Sequence, residues 1–313
     1  MKLALAGDTM LGRGVAERVA SATPSSLFAP EVVAAVGEAD VCVLNLECCV
    51  SECGAPAPGR MFHFRAPPTA VDALAHLGVD CVTLANNHAL DFGPEALLDT
   101  FIHLERSGIA CVGAGPNLAA ARTPVVLRAG GVRIGALGFA DHPIEDAAER
   151  ERPGIAFADL SRGGLPDWLK EAIRSTDADA VLVTPHWGPN MTAGPVPHVR
   201  AAAHALREAG ATLVAGHSAH VFHGVTPGVL FDLGDFLDDY RHDRKLRNDL
   251  GLLFLVDLAG IRLEAIPLKL EFAYTRLAEG EDAAWIRRRF TDACAAFGTE
   301  VAEEDGRLVT AWR

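Results

Sequence analysis

The stretch Thr83 to Gly93, TLANNHALDFG, places Asn86, Asn87 and His88 where an apolar run stops and a helix-like pattern is about to begin. Similar endings recur along the chain. The N-terminal apolar run closes on Gly7-Asp8-Thr9-Met10-Leu11-Gly12-Arg13-Gly14, and a second run closes on Asn45-Leu46-Glu47. Farther on, VLVTPHWG delivers His186, LVAGHSAHVFHG delivers His217 and His220, and LFDLGDFLDD delivers Asp232 and Asp235. Carboxylates, an amide oxygen and neutral imidazoles are the ligands of Mn²⁺, Fe²⁺ and Zn²⁺, and the lack of thiolates in these stretches argues against a structural zinc. A carboxylate lying between two such ions can bridge them at about 3.5–4 Å, the arrangement that activates a water. On this reading Asn87 is a neutral oxygen ligand and His88 a proton donor beside it.

Each stretch alone has an ordinary explanation. Asp8 could cap a helix, Glu47 could be a solvated loop acid, and Asn87 with His88 could cap the helix that follows. The elements that carry the stretches speak for a joint role. Short apolar runs read as strands at 3–6, 41–46, 81–84, 110–112, 125–128, 132–139, 180–184, 212–215, 229–233, 252–257 and 261–267. Amphipathic stretches read as helices at 31–37, 69–77, 94–107, 166–175, 198–209 and 281–297. Strands alternating with helices imply an α/β protein with parallel pairing early in the chain, and turns at Ala129-Gly130-Gly131 and Ala259-Gly260 add antiparallel hairpins later. In parallel sheets ligands bind at the carboxyl ends of strands, which is where six of these runs place their polar residues. The acidic, Pro-Gly-containing segment 141–164 is expected to be a surface excursion.

With 313 residues, half of them hydrophobic, the chain can bury a large core. A net charge of −13 argues against nucleic acid or an anionic membrane surface as partner, so a small anionic substrate needs local positive charge at its site. The opening MKLALAGD is too short for a signal h-region or a membrane anchor, which predicts a cytoplasmic location; oligomeric state is left open. Seven cysteines, without C-x-x-C spacing in Cys48, Cys49 and Cys53, read as buried or incidental thiols.

The ordered set Gly-Asp-x-Met-Leu-Gly-Arg, Asn-Leu-Glu, Ala-Asn-Asn-His-x-x-Asp-x-Gly, His-Trp-Gly and Gly-His-x-x-His-Val, between Lys2 and Asp239, resembles the CapA family of poly-γ-glutamate capsule synthesis proteins, within the calcineurin-like metallophosphatase superfamily. The resemblance implies a four-layer α/β/β/α sandwich, here a single domain over 1–313, with a motif-bearing core 1–270 and a C-terminal helical segment 271–313. It implies two divalent ions, Mn, Fe or Zn. Asp8, Glu47 and His220 would hold one; Glu47, Asn87, His186 and His217 would hold the other, with Glu47 bridging. His88 would be the general acid, Asp91 its orienting partner, and Arg13 would face the substrate anion. Departures from the superfamily pattern are Met10 where a metal-binding histidine is usual, Pro189-Asn190-Met191 after His-Trp-Gly, Ser218-Ala219 between the two histidines, and Asp235 for a usual asparagine. Met10 predicts unequal affinities at the two metal positions.

The function expected is a metal-dependent hydrolase acting on a phosphate ester through a metal-bound hydroxide, with His88 protonating the departing oxygen. Hydrolysis or transfer of a γ-glutamyl or related amide, in polymer or small-molecule biosynthesis, uses the same site. A non-catalytic accessory protein of a synthase complex is the third reading.

Overall fold

The computed structural model describes residues 1–161, 163–259 and 262–311. Its larger sheet is built around the strand Lys2–Thr9, whose one side pairs in parallel with Val41–Leu46, followed by Cys81–Thr83 and Ala110–Val112. The other side pairs with the antiparallel strand Leu250–Asp257, then Arg262–Glu271 and the hairpin of Arg307–Ala311 with Ala302–Glu304. Asp235–Leu237 lies parallel to the end of the first strand, and Tyr274–Leu277 joins Arg262–Glu271. The smaller sheet centres on Ala180–His186, parallel to Val132–Ala140 and Leu213–Ala215. The hairpin read at Gly130-Gly131 forms its edge, pairing Val125–Ala129 with Val132–Ala140.

Side chains of a strand alternate between its faces, and here both faces are buried, so the runs are apolar throughout. In the larger sheet Ala4, Ala6, Cys42, Leu44 and Val82 meet Val32, Val36, Leu74 and Leu97 of the outer helices. Leu3, Leu5, Val41 and Val43 point the other way, onto Ile134, Ala136, Leu182 and Leu213 of the smaller sheet. The far face of that sheet, with Phe139, Val181 and Val183, is covered by the helices Asp167–Ser175 and Pro197–Ala209. Three cores between four layers make the α/β/β/α sandwich.

Some expectations change. Segment 271–313 is not simply helical: beside the helix Gly280–Ala295 it contributes the strands Tyr274–Leu277, Ala302–Glu304 and Arg307–Ala311. The last two form a hairpin whose left-handed turn is supplied by Asp305 and Gly306. Segment 141–164 is only partly a surface excursion, because Ile155, Ala156, Ala158 and Leu160 are buried and Gly154–Ile155 pairs with Ala114–Gly115. A helix at Arg13–Ser21 was not read from the sequence; it buries only Val15, so its apolar period is faint. Gly260 and Ile261, part of the second expected hairpin, lie outside the described residues. Among the described residues no cysteine is disulfide-bonded, and burial pushes the Cys49 thiol up to about 12 and Cys111 up to about 11. Nor, among them, is any helix long and apolar enough to cross a membrane.

Candidate metal centre

The register of the strands brings the polar ends together. Asp8 sits opposite Asn45 on one neighbour and Asp235 on the other, while a bridge joins His186 to His217 across the end of the smaller sheet. Gly7 permits the close approach: a Cβ there would meet the Gly234 carbonyl at 1.8 Å, whereas the real backbones lie together and the Asp8 amide donates to that carbonyl at 2.9 Å. The result is two overlapping groups of potential ligands. Asp8, Glu47 and His186 have ligand atoms within 4.8 Å of one another, and so do Asp8, His220 and Asp235. His217 Nδ1 is 3.2 Å from Asp8 Oδ1, yet makes no aligned hydrogen bond.

Several of these atoms have no protein partner although they are out of water. Glu47 Oε1, Asn87 Oδ1, His217 Nδ1 and Asp235 Oδ2 are all buried and unpaired. An unsatisfied buried polar atom costs about 1–3 kcal/mol, and those on residues that meet Asp8, as Glu47, His217 and Asp235 do, are ones a cation would satisfy. The donor set of carboxylate, amide oxygen and imidazole fits a divalent transition metal. The ordinary explanations fail on geometry. The helix after Asp8 begins at Arg13 with Gly12 as its cap, and the helix after His88 begins at Gly93 with Phe92 as its cap, neither with a side-chain capping bond. Glu47 is 0% exposed and is no solvated acid.

The electrostatics are those of crowded acids. Burial pushes Glu47 well above the usual carboxylate range, and Asp8 and Asp235 add to that while His220 opposes it. Burial likewise raises Asp235, helped by Asp238 and Asp8. Burial also acts upward on Asp8, but His217, His220 and His186 outweigh it and hold this acid low. His186 is kept from protonating by burial; His220, although buried, is pulled the other way by Glu47 and Asp8.

Around this cluster lies a layer of hydrogen bonds that sequence reasoning placed only in part. Asn45 Nδ2 donates to Asp8 Oδ1 at 2.8 Å, and Asn86 Nδ2 donates to Asn45 Oδ1 and to the Leu46 carbonyl, each at 2.9 Å. Asn86 Oδ1 in turn accepts from the His88 amide at 3.0 Å. Asn86 therefore orders the loop, and Asn87 is the one whose side-chain oxygen is buried and unpaired. His88 Nδ1 donates to Asp91 Oδ2 at 2.6 Å, the pairing expected. Sequence reasoning missed Arg60. Its guanidinium pairs with Asp91 Oδ1 at 2.8 Å, with Asp146, and with the Asn87 carbonyl, fastening the His88 loop from the 52–64 segment. Nothing periodic surrounds Arg60, and its partners are distant in sequence, so no local signal marked it.

A cavity of about 360 Å³ opens beside the cluster, lined among others by Arg13, Phe62, Phe64, His88, His220, Tyr240 and Arg241. Arg13 is not free to meet an anion as expected: it pairs with Asp239 at 2.6 Å and lies 5.4 Å from the Phe64 ring and 5.7 Å from that of Tyr240. Met10 is fully buried among Leu11 and Val15, and its sulfur accepts from the Gly12 amide at 3.0 Å. It offers nothing to a metal. Arg13, Met191 and His220, which line the cavity, have positive φ of 50°, 52° and 58°.

Known proteins supply a family for this architecture. Residues 2–240 match the family described as bacterial capsule synthesis protein PGA_cap. A probable polyglutamine synthesis accessory protein of Mycobacterium tuberculosis is 32% identical over 293 residues, covering 86% of this chain and 76% of that protein. The capsule biosynthesis protein CapA of Bacillus anthracis is 31% identical, covering 68% of this chain and 53% of that protein. Among solved structures, a hypothetical protein from Thermus thermophilus has a TM-score of 0.47 at 18% identity, covering 88% of this chain and 96% of that one. The match over most of its length places the chain in the PGA_cap family of bacterial capsule synthesis proteins.

Proposed function

We propose that the chain is a divalent-metal-dependent hydrolase acting on a small phosphate ester, with His88 as general acid. The observation that carries this reading is the 2.6 Å bond from His88 Nδ1 to Asp91, which leaves the other ring nitrogen to hold a proton beside both the cavity and the ligand cluster. Bound divalent ions would polarise a phosphoryl oxygen, acidify a water and offset the negative charge of the site. Asp8, Glu47, Asn87, His186, His217 and His220 would hold them. Asn45 fixes the rotamer of Asp8, and Arg60 fixes Asp91, so neither ligand nor acid has to reorganise during the reaction. His88 would give its Nε2 proton to the departing oxygen from the imidazolium form, whose Nδ1–H stays bonded to Asp91 and whose charge that carboxylate offsets, leaving the neutral Nδ1–H imidazole. Phe62, Phe64 and Tyr240 limit water, and Arg241 supplies positive charge at the same wall.

The non-catalytic reading has its own support in the accessory role that the Mycobacterium relative's name states. Amide chemistry on a γ-glutamyl bond is the third reading, because metal polarisation serves a carbonyl as well. Manganese-loaded protein assayed on p-nitrophenyl phosphate, bis-p-nitrophenyl phosphate and γ-glutamyl-p-nitroanilide separates the three. Turnover of a phosphate ester that disappears with chelator supports the proposal. Turnover of the anilide alone moves the chemistry to amides, and no turnover of any substrate leaves the accessory role.

A further inference from the structure

Asp235, which the sequence offers at a strand end but the family resemblance leaves out of the ligand set, is a carboxylate in register with Asp8 whose Oδ2 is buried and accepts no hydrogen bond. We infer that Asp235 is a ligand of the divalent ion held with Asp8 and His220, and that it makes this position rich in oxygen and selective for Mn²⁺ or Mg²⁺, while the His186 and His217 position takes Zn²⁺ or Fe²⁺. The inference rests on the metal-dependent reading above.

The backbone puts Asp235 there. Its strand lies parallel to the first, with Asp8 and Asp235 in register, and the contact of Gly7 on Gly234 sets the two carboxylates side by side. His220 Nδ1 is 2.7 Å from Asp235 Oδ1, 3.4 Å from Asp8 Oδ2 and 3.9 Å from Glu47 Oε2. One nitrogen and three carboxylate oxygens thus converge, and the strained φ of +58° at His220 is what aims that ring inward. Met10 has turned its sulfur to the Gly12 amide, so the first strand gives this position Asp8 alone, and Asp235 is the neighbouring strand's contribution.

The chemistry differs from that a few ångströms away. Carboxylate oxygens suit Mg²⁺ and Mn²⁺, whereas imidazoles suit Zn²⁺ and Fe²⁺. His186 and His217 bring two imidazoles to the carboxylates of Asp8 and Glu47, against the one imidazole of His220 with Asp8, Asp235 and Glu47 on the other side. Asp238, the other acid packed on Asp235, has one oxygen committed to the Tyr240 amide, and its carboxyl lies against that of Asp235 within hydrogen-bonding reach.

A purely positioning role is the competing explanation, since Asp235 could do no more than hold the His220 ring. Asp235→Asn separates the two, because the amide keeps an oxygen beside His220 Nδ1 and removes the charge. Chelator-treated protein is titrated with MnCl₂, free Mn²⁺ being read by electron paramagnetic resonance, and then with ZnCl₂ under elemental analysis. Wild type should bind both metals from an equimolar mixture, about one equivalent of each. Asp235→Asn should weaken the manganese equivalent at least about 10-fold and keep the zinc equivalent, whose retention also reports that the variant is folded. Asp235→Asn binding both metals as wild type does overturns the inference and leaves the metal reading standing. Zinc filling both positions of the wild type with equal affinity overturns it without any variant. Wild type that binds neither metal removes the metal-dependent reading and this inference together.

Discussion

Two clusters of buried or half-buried charge in this protein are built on opposite principles. Near the helix Gly280–Ala295, Arg247 donates to both oxygens of Asp249 from its Nε and Nη2, at 2.7 and 2.8 Å, and to Asp282 from Nη2 at 2.7 Å, while Lys269 joins both acids. Two cations meet two anions, and the carboxyl of Asp249 is held down at about 2: its burial acts upward, and Arg247 and Lys269 more than offset that. At the ends of the strands, Asp8, Glu47, Asp232, Asp235 and Asp238 are buried together with histidines for company and no lysine or arginine among the ligands. The first cluster is complete within the chain. In the second, the histidines hold only Asp8 low while burial pushes Glu47, Asp232, Asp235 and Asp238 up, so a cation from outside the chain would stabilise these acids as charges.

The contrast breaks most sharply at Glu47. Glu47→Gln should lose bound metal and lower phosphate-ester turnover by more than about 10³-fold, several kcal/mol of transition-state stabilisation. In chelator it should melt higher than wild type, by about 2–4 °C, since the buried charge is gone. The sign follows from linkage. Glu47 is raised in the folded state, so its contribution is present below its unfolded value of 4.5 and is lost as pH rises through the folded one. Metal-free wild type should therefore lose melting temperature as pH rises above 4.5, and a flat profile would count against this account of Glu47.

His88→Ala tests the acid rather than the ligands. Turnover of an alkyl phosphate should fall about 10²-fold with metal content unchanged, and the loss should shrink on p-nitrophenyl phosphate, whose leaving group needs less protonation. Metal lost along with activity would make His88 a ligand. Arg60→Ala should cost about 10-fold on an alkyl phosphate by freeing Asp91, and a smaller loss on p-nitrophenyl phosphate separates that from a general loss of stability.

The smallest effect belongs to the completed cluster. Asp249→Asn should leave catalysis alone and destabilise the protein by about 1 kcal/mol, the pairing being discounted because the cluster is partly solvent-screened. Here the sign reverses: a lowered carboxyl stabilises above its unfolded value of 3.8, and the benefit goes as pH falls through about 2. Thermal melts from pH 5 down to 2 should thus converge for wild type and variant. A variant that melts higher at neutral pH would erase the distinction between the two clusters.

Much of the fold and part of the site was legible because its signals are local. The central strands are apolar on both faces, their helices have clear periods, and the polar residues follow the strands directly, as Asp8, Glu47 and His186 do. What was hidden depends on chain segments meeting. Arg60 reaches Asp91 and Asp146 from a Pro/Gly-containing stretch without period, and the role of Arg13 changed because Asp239, 226 residues away, claims it. Asp235 reads in the sequence as one of several metal-capable residues at strand ends and as an unusual turn residue, but its place beside Asp8 is not legible there, since that proximity exists only in the sheet. The hairpin Ala302–Ala311 was hidden for another reason: one strand is exposed throughout, and no apolar alternation distinguishes it from a helix end.

The first strand has a second edge whose partner comes late. Its parallel neighbour at Val41 is made soon after it, but Leu250–Asp257, which covers the other edge, follows some 240 residues later. At ribosomal rates of about 5–20 residues per second the apolar run Leu3–Ala6 waits roughly 12–50 s with open backbone donors and acceptors. The family match ends at residue 240, short of that covering strand. A nascent chain stalled there should associate with holdase chaperones and bind hydrophobic dyes, whereas one stalled beyond residue 311 should not. Completion of the sheet is thus also the step that releases the chain from its handlers.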